Sequence, residues 1–195
     1  MAITTISSRK QEIIEKATAL FQKQSYSTTS MRDLAGFIGI EAASLYSHIK
    51  SKEELLQTIC FTVANNLFEP VKNIARENIA ADKKLKQIVR SHIQVLTADT
   101  ASCAVFFAEW RHLSEPHLAE FLMMREQYED IFIQVLVKGK QNGIFQFIDA
   151  KFTVFALLSS INWLPNWYRK EGQLNPEQIA ESVTDVFING LKVRK

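Results

Sequence analysis

The sequence predicts an all-α protein, and three observations predict it. Only six glycines and four prolines interrupt 195 residues. Helix-start signals recur along the chain, and no segment alternates apolar and polar residues with the period of two of a half-buried strand. Behind the starts, apolar residues return at the three- and four-residue spacing of a helix face.

The elements follow in order. The first, near 8–23, starts at Ser8-x-x-Gln11 and carries the stripe Ile13, Ile14, Ala17, Leu20 and Phe21. The second, near 30–37, starts at Ser30-x-x-Asp33 and aligns Met31, Leu34, Ala35 and Ile38. In both, the Ser fits a capping box, accepting an amide three residues on while the side chain there reaches back. Gly39 then supplies the positive φ with which a chain often leaves a helix. The third element, 41–49, is too short to stand alone. Its Leu45 and Ile49 lie one turn apart and face inward, so Ala43, Ser44 and Ser47 point outward, with Tyr46 to one side. Ala35 is small where the second and third helices must cross closely.

A fourth helix, 51–76, starts at Ser51-x-x-Glu54, and helices near 82–98, 101–113 and 115–141 follow by the same spacing. The stretch 150–170 is apolar on nearly every side through Phe152, Val154, Phe155, Leu157, Leu158, Ile161, Trp163, Leu164 and Trp167, so it must be covered on all sides. The last helix, 176–192, opens on Asn175-Pro176-x-Gln178: a cap, a first-turn proline and a Gln at the third helical position. It carries the stripe Ile179, Val183, Val186 and Phe187. Three short, tightly linked helices followed by mostly long ones, about nine in all, mark two domains, 1–55 and 56–195, joined through the fourth helix.

Composition narrows the class. Hydrophobic residues make up 47% and charged residues 23%, ordinary for a globular protein, and the net charge is +2. Residues 1–55 are near neutral too, with Arg9, Lys10, Lys16, Lys23, Arg32, Lys50 and Lys52 against Glu12, Glu15, Asp33, Glu41, Glu53 and Glu54. Nucleic-acid binding must therefore rest on placement of charge rather than its total. The opening MAITTISSRK lacks an apolar stretch to be cleaved or inserted, which points to the cytoplasm, where Cys60 and Cys103 are expected buried and reduced. The uncharged run Phe152–Tyr168 is at the short limit for spanning a membrane and holds Asn162, Asn166, Pro165 and two serines, so it reads as a helix buried in protein.

Residues 30–56 carry the functional signal. A helix, a glycine turn and a short second helix with a trim outer face make a helix-turn-helix, whose second helix enters the major groove. Short side chains let such a helix approach base edges closely. The stretch Ser25–Leu56, SYSTTSMRDLAGFIGIEAASLYSHIKSKEELL, resembles the DNA-binding signature of the TetR family of transcriptional repressors. Tyr26, Thr29-Ser30, Leu34-Ala35, Gly39-Ile40, Leu45-Tyr46, His48, Lys52 and Leu55 match in register.

The resemblance implies roles position by position. Thr29 and Ser30 would start the second helix against the DNA backbone. Ala42, Ala43, Ser44 and Ser47 would face base edges, an alanine methyl meeting a thymine methyl and serine bonding either way. Tyr46, His48 and Lys52 would hold phosphates, Lys52 beside the fourth helix's N-terminal dipole. Three positions depart from the family: Ser25 stands where glycine is favoured, Ile49 where phenylalanine is, and Glu41 where Ser or Thr often caps.

The resemblance further implies a homodimer through the helices near 150–170 and 176–192, an operator in double-stranded DNA and a small-molecule effector held in the C-terminal domain. Phe107, Trp110, Arg125, Tyr128, Asn162 and Trp163 are the expected effector contacts, beside a looser similarity to family members that answer to acyl-CoA thioesters. Buried arginine would suit an anionic ligand; Arg111 and Arg125 can equally pair with Glu109, Glu115 or Glu129.

Enzymes are the main rival class. G-x-G-x-x-G, P-loop and G-x-S-x-G signatures are absent, so no cofactor is expected. Glu109-x-x-His112 is a single E-x-x-H, which a di-iron bundle needs twice, and His92, His112 and His117 lack metal spacing. A helical adaptor that binds partners without touching DNA is the alternative reading.

Overall fold

Residues 8–192 are described by the computed structural model, and they form an all-α fold. The helices are α1 (Ser8–Gln24), α2 (Met31–Ile38), α3 (Ala42–His48), α4 (Lys52–Arg76), α5 (Ala81–Ala98), α6 (Thr100–Glu109), α7 (His117–Gln141), α8 (Ala150–Asn162), α9 (Leu164–Trp167) and α10 (Pro176–Leu191). One 3-10 turn, Trp110–His112, follows α6, and the only bridge of strand type among the described residues joins Phe145 to Lys192. The opening stretch read above as lacking a cleavable segment lies up to residue 7 outside the described residues, as does whatever caps α1.

Two predicted helices end differently. The one expected over 101–113 is α-helical only to Glu109, then tightens into the 3-10 turn. The one expected over 150–170 breaks at Trp163, because Pro165 has no amide to donate and its ring would meet the carbonyl of Ile161. The chain restarts as α9 with Pro165 in the first turn, where a missing amide costs nothing.

The chain divides into two compact units: one runs up to Val63 and includes Ala101–Ala119; the other holds Ala64–Thr100 and the chain from Glu120 on. In the first, α1 packs on α2 and α2 on α3. Ile13, Phe21, Leu34, Leu45, Ile49, Leu55 and Leu56 are fully buried at its centre. Burying each such side chain contributes about 1.5–3 kcal/mol, and Leu45 with Ile49 is how the seven-residue α3 is held without a side-chain cap.

In the second unit, α10 lies along α5, and α9 packs against α5 and α8. Its centre holds Leu85, Ile88, Val89, Ile93, Phe132, Phe145 and Leu157. A Cβ on Gly139 would lie 2.2 Å from the Phe145 ring, so the glycine is what lets that ring close against α7. The Asn175–Gln178 capping box forms as read, with amide-to-side-chain bonds of 2.9 and 3.0 Å.

Large apolar side chains of this unit stay exposed among the described residues: Phe152 is 74% exposed, Trp163 64% and Val186 72%, with Phe155 and Trp167 also open. Of the stripe read on the last helix, Ile179 is buried within the subunit, and Val183 and Phe187 are half-buried. Cys60 and Cys103 are free and buried, and burial, aided by the Glu109 charge, pushes the Cys60 thiol up to about 12. Among the described residues no helix is long and apolar enough to cross a membrane.

Candidate nucleic-acid interface

The helix-turn-helix is built by local rules. Ser30 caps α2 with a full capping box: its Oγ accepts the Asp33 amide at 3.1 Å, and the Asp33 carboxylate accepts the Ser30 amide at 2.9 Å. The Ser30 hydroxyl donates to the same carboxylate, and these two bonds hold the Asp33 carboxyl below its usual range. At the other end Gly39 takes φ 80°, and its amide and that of Ile40 return to the Ala35 carbonyl at 2.9 and 3.0 Å. That closed turn fixes where α3 begins.

On α3, Ala42, Ala43, Ser44, Tyr46, Ser47 and His48 are all exposed, while Leu45 and Ile49 are fully buried. The Ser47 hydroxyl donates to the Ser44 carbonyl at 2.7 Å, which leaves the oxygen free to accept. Glu41 precedes the helix with no capping bond of its own.

Thr29 and Lys52 are placed differently from their neighbours. Thr29 is 2% exposed, and its hydroxyl donates to the Ser25 carbonyl at 2.7 Å. Lys52 donates to the Tyr26 carbonyl at 2.8 Å and the Thr29 carbonyl at 2.7 Å, with its ammonium 4.2 Å from the centre of the Tyr26 ring. Two of its three N–H groups therefore hold the α1–α2 loop. Ser51 caps α4 through the Glu54 amide at 3.1 Å, but Glu54 turns away from the box to accept the Lys50 amide and to pair with Lys10 at 2.7 Å. Ser25, the residue standing in the glycine position, has φ 70°.

The expected effector residues fall into both units. Phe107, edge-to-face with Phe106, and Trp110, under the Arg111 guanidinium at 4.4 Å, belong to the first. Arg125, Tyr128, Asn162 and Trp163 belong to the second. There Arg125 is exposed and pairs with Glu129 at 3.4 Å, and Trp163 is exposed too. Tyr128 and Asn162 are brought together by His92, which the sequence suggested was a solvated or capped histidine and which is instead buried at 2% exposure. The Tyr128 hydroxyl lies 2.7 Å from His92 Nδ1, and the Asn162 Oδ1 lies 2.9 Å from Nε2. An amide oxygen only accepts, so Nε2 carries the proton and Nδ1 accepts from the tyrosine. Burial lowers His92 to about 4 and raises Tyr128, so both are neutral. His92 sits at i, i+4 to Leu96 and Ile88 on the apolar face of α5, a signal that sequence spacing alone assigns to core. Two open grooves of this unit, about 410 and 550 Å³, are lined by neither Tyr128 nor Asn162.

Comparison with known proteins divides the chain by sequence, with residues 101–119 of the first unit falling in the C-terminal family match. Residues 78–191 match the family described as "Tetracyclin repressor-like, C-terminal domain", and residues 13–59 match "Bacterial regulatory proteins, tetR family". Over 188 residues the chain is 26% identical to the HTH-type transcriptional repressor KstR2 of Rhodococcus jostii (strain RHA1), spanning 95% of this chain and 92% of that protein. The fold is shared with the ketosteroid transcriptional regulator KstR2 of Mycobacterium tuberculosis, at TM-score 0.90 and 23% identity over 97% of this chain and 98% of that one. It is shared also with AibR, solved in complex with isovaleryl coenzyme A and operator DNA, at TM-score 0.79 and 24% identity over 92% and 97% of the two chains.

Proposed function

The chain belongs to the TetR family of bacterial regulatory proteins, a DNA-binding transcriptional regulator and not an enzyme, and from that premise we propose that it is a cytoplasmic repressor released from its operator by a small, largely hydrophobic effector. The observation that carries the DNA reading is α3, where every outward residue is small or polar and only Leu45 and Ile49 anchor the helix. Ala42, Ala43, Ser44 and Ser47 read base edges; Tyr46, His48 and the remaining Lys52 donor hold phosphates, with Ser30 starting α2 against the DNA backbone and Thr29 shaping the loop behind it. An adaptor that avoids DNA has no observation in its favour.

The repressor acts as a homodimer through α8 and α10, whose open Phe152, Phe155, Trp163 and Val186 need a cover. Twofold symmetry then demands a palindrome with half-sites about one helical turn apart. The effector is an acyl-CoA thioester, a class supported by the shared fold of AibR with its isovaleryl coenzyme A. Within the second unit Arg125, Tyr128, Asn162 and Trp163 are the expected contacts, with Tyr128 and Asn162 held by His92. The effector releases DNA by binding better to a dimer whose recognition helices are badly spaced.

The test is retention of sheared genomic DNA from the source organism by the purified protein at about 0.15 M salt, followed by sequencing. A recovered palindrome supports the reading, and a panel of acyl-CoA thioesters is then tried for its release. Retention of random fragments alone, or of none after bound ligand has been stripped, sinks it.

A further inference from the structure

Among the described residues Glu109 alone is a buried carboxylate, 7% exposed. It is also the last residue of α6, where the helix dipole opposes a negative charge. A carboxylate is thus disfavoured there twice, by desolvation and by the helix end. What it gains is a bond to a residue 83 positions away: Oε1 accepts the Tyr26 amide at 3.1 Å, while Oε2 faces His112 Nδ1 at 3.1 Å.

That amide belongs to the loop between α1 and α2, and the bonds continue from it. The Tyr26 carbonyl accepts from Lys52, which also holds the Thr29 carbonyl directly before the Ser30 cap. The next residue, Glu53, accepts the Ser114 amide at 3.1 Å and the Ser114 hydroxyl. Ser114 lies five residues beyond Glu109, so the path closes on itself. The His112 ring sits 5.4 Å from the Tyr26 ring and covers the junction. One circuit therefore ties the α1–α2 loop, the first turn of α4 and the segment 109–114.

We propose that Glu109 is a positioning residue for DNA binding, setting the amino end of α2 and the Lys52 ammonium against the phosphate backbone through the Tyr26 peptide. The inference rests on the DNA-binding reading above. A purely structural Glu109 would affect how much protein folds but not how tightly the folded protein binds.

The test is titration of a labelled duplex, taken from the fragments that the wild-type protein retains, with full-length variants held well below their unfolding temperatures as followed by circular dichroism. Glu109→Ala leaves the Tyr26 amide unpaired and is expected to weaken binding about tenfold. Glu109→Gln keeps an oxygen acceptor and is expected to stay within about threefold of wild type. If Glu109→Ala does not fold, Glu109→Asp withdraws the carboxylate by one methylene and should show the same loss. Because the action runs through Lys52, the double variant Glu109→Ala/Lys52→Met should lose little more than the worse single one. Wild-type affinity in folded Glu109→Ala, equal losses for Gln and Ala, or additive losses in the double variant each overturn the proposal. A wild-type protein that retains no duplex fails earlier, at the DNA reading itself.

Discussion

Helix α3 turns Ala42, Ala43, Ser44 and Ser47 to solvent, whereas α8 and α9 turn out Phe152, Phe155, Trp163 and Trp167. Both faces are exposed among the described residues, and their materials are opposite. Small hydroxyl and methyl groups leave little apolar surface in water, which suits a face that is bound and released in turn. Large aromatic rings are unfavourable in water and favour lasting burial. The interiors contrast in the same way. The first unit buries a carboxylate and its partners in a circuit that shapes a loop; the second buries a neutral histidine that joins α5, α7 and α8.

The largest expected effect lies on the aromatic face. Phe155→Glu should halve the mass seen by sedimentation and weaken operator binding by about a hundredfold or more, since a dimer gains its affinity by engaging two half-sites at once. An unchanged mass breaks the contrast, because those rings would then be a solvated surface. Next comes the interior of the same unit. The unfolded chain protonates His92 near 6.5, while the folded one refuses a proton until about 4. Stability from this group is therefore complete above pH 6.5 and declines as pH falls toward 4, by roughly 2–3 kcal/mol. Thermal unfolding of wild type and His92→Leu between pH 7 and 5, where most carboxylates stay ionised, should show a slope only in the wild type.

Smaller effects sharpen the other half of the comparison. Ser25→Gly relieves a left-handed backbone and should raise stability by about 0.5–1 kcal/mol in chemical denaturation, less whatever the Ser25 hydroxyl contributes through Ser27 and Thr28. Ser47→Ala should change overall DNA affinity by about threefold or less while altering the preferred base at one position, read by selection from a random-sequence pool. A uniform loss across sequences would make Ser47 a backbone contact.

Much of the head was legible because its rules are local. The Ser30 box, the Gly39 turn and the Leu45–Ile49 anchor each depend on neighbours within a few positions, and all stand where the spacing put them. The same logic misjudged 150–170, where apolar periodicity runs unbroken through Pro165 although the backbone there does not. Glu109 and His92 were opaque for a different reason. Their partners lie 83, 36 and 70 residues away, and nothing in the local pattern separates a buried hydrogen-bonded side chain from a stray polar residue on a helix. Lys52 was read as a phosphate ligand by register, and its bonds to two loop carbonyls became visible only in the folded chain.

The exposed positions 42, 43, 44 and 47 bear no part of the core. Substitutions there should cost about 0.5 kcal/mol or less in stability, so the head can be retargeted without being rebuilt. A duplicated copy of this chain is free to drift toward a new operator while its interior, its twofold interface and its response to the effector stay as they are. On the proposed reading, the address this regulator answers to rests on four replaceable side chains, and the rest of the fold is inherited whole.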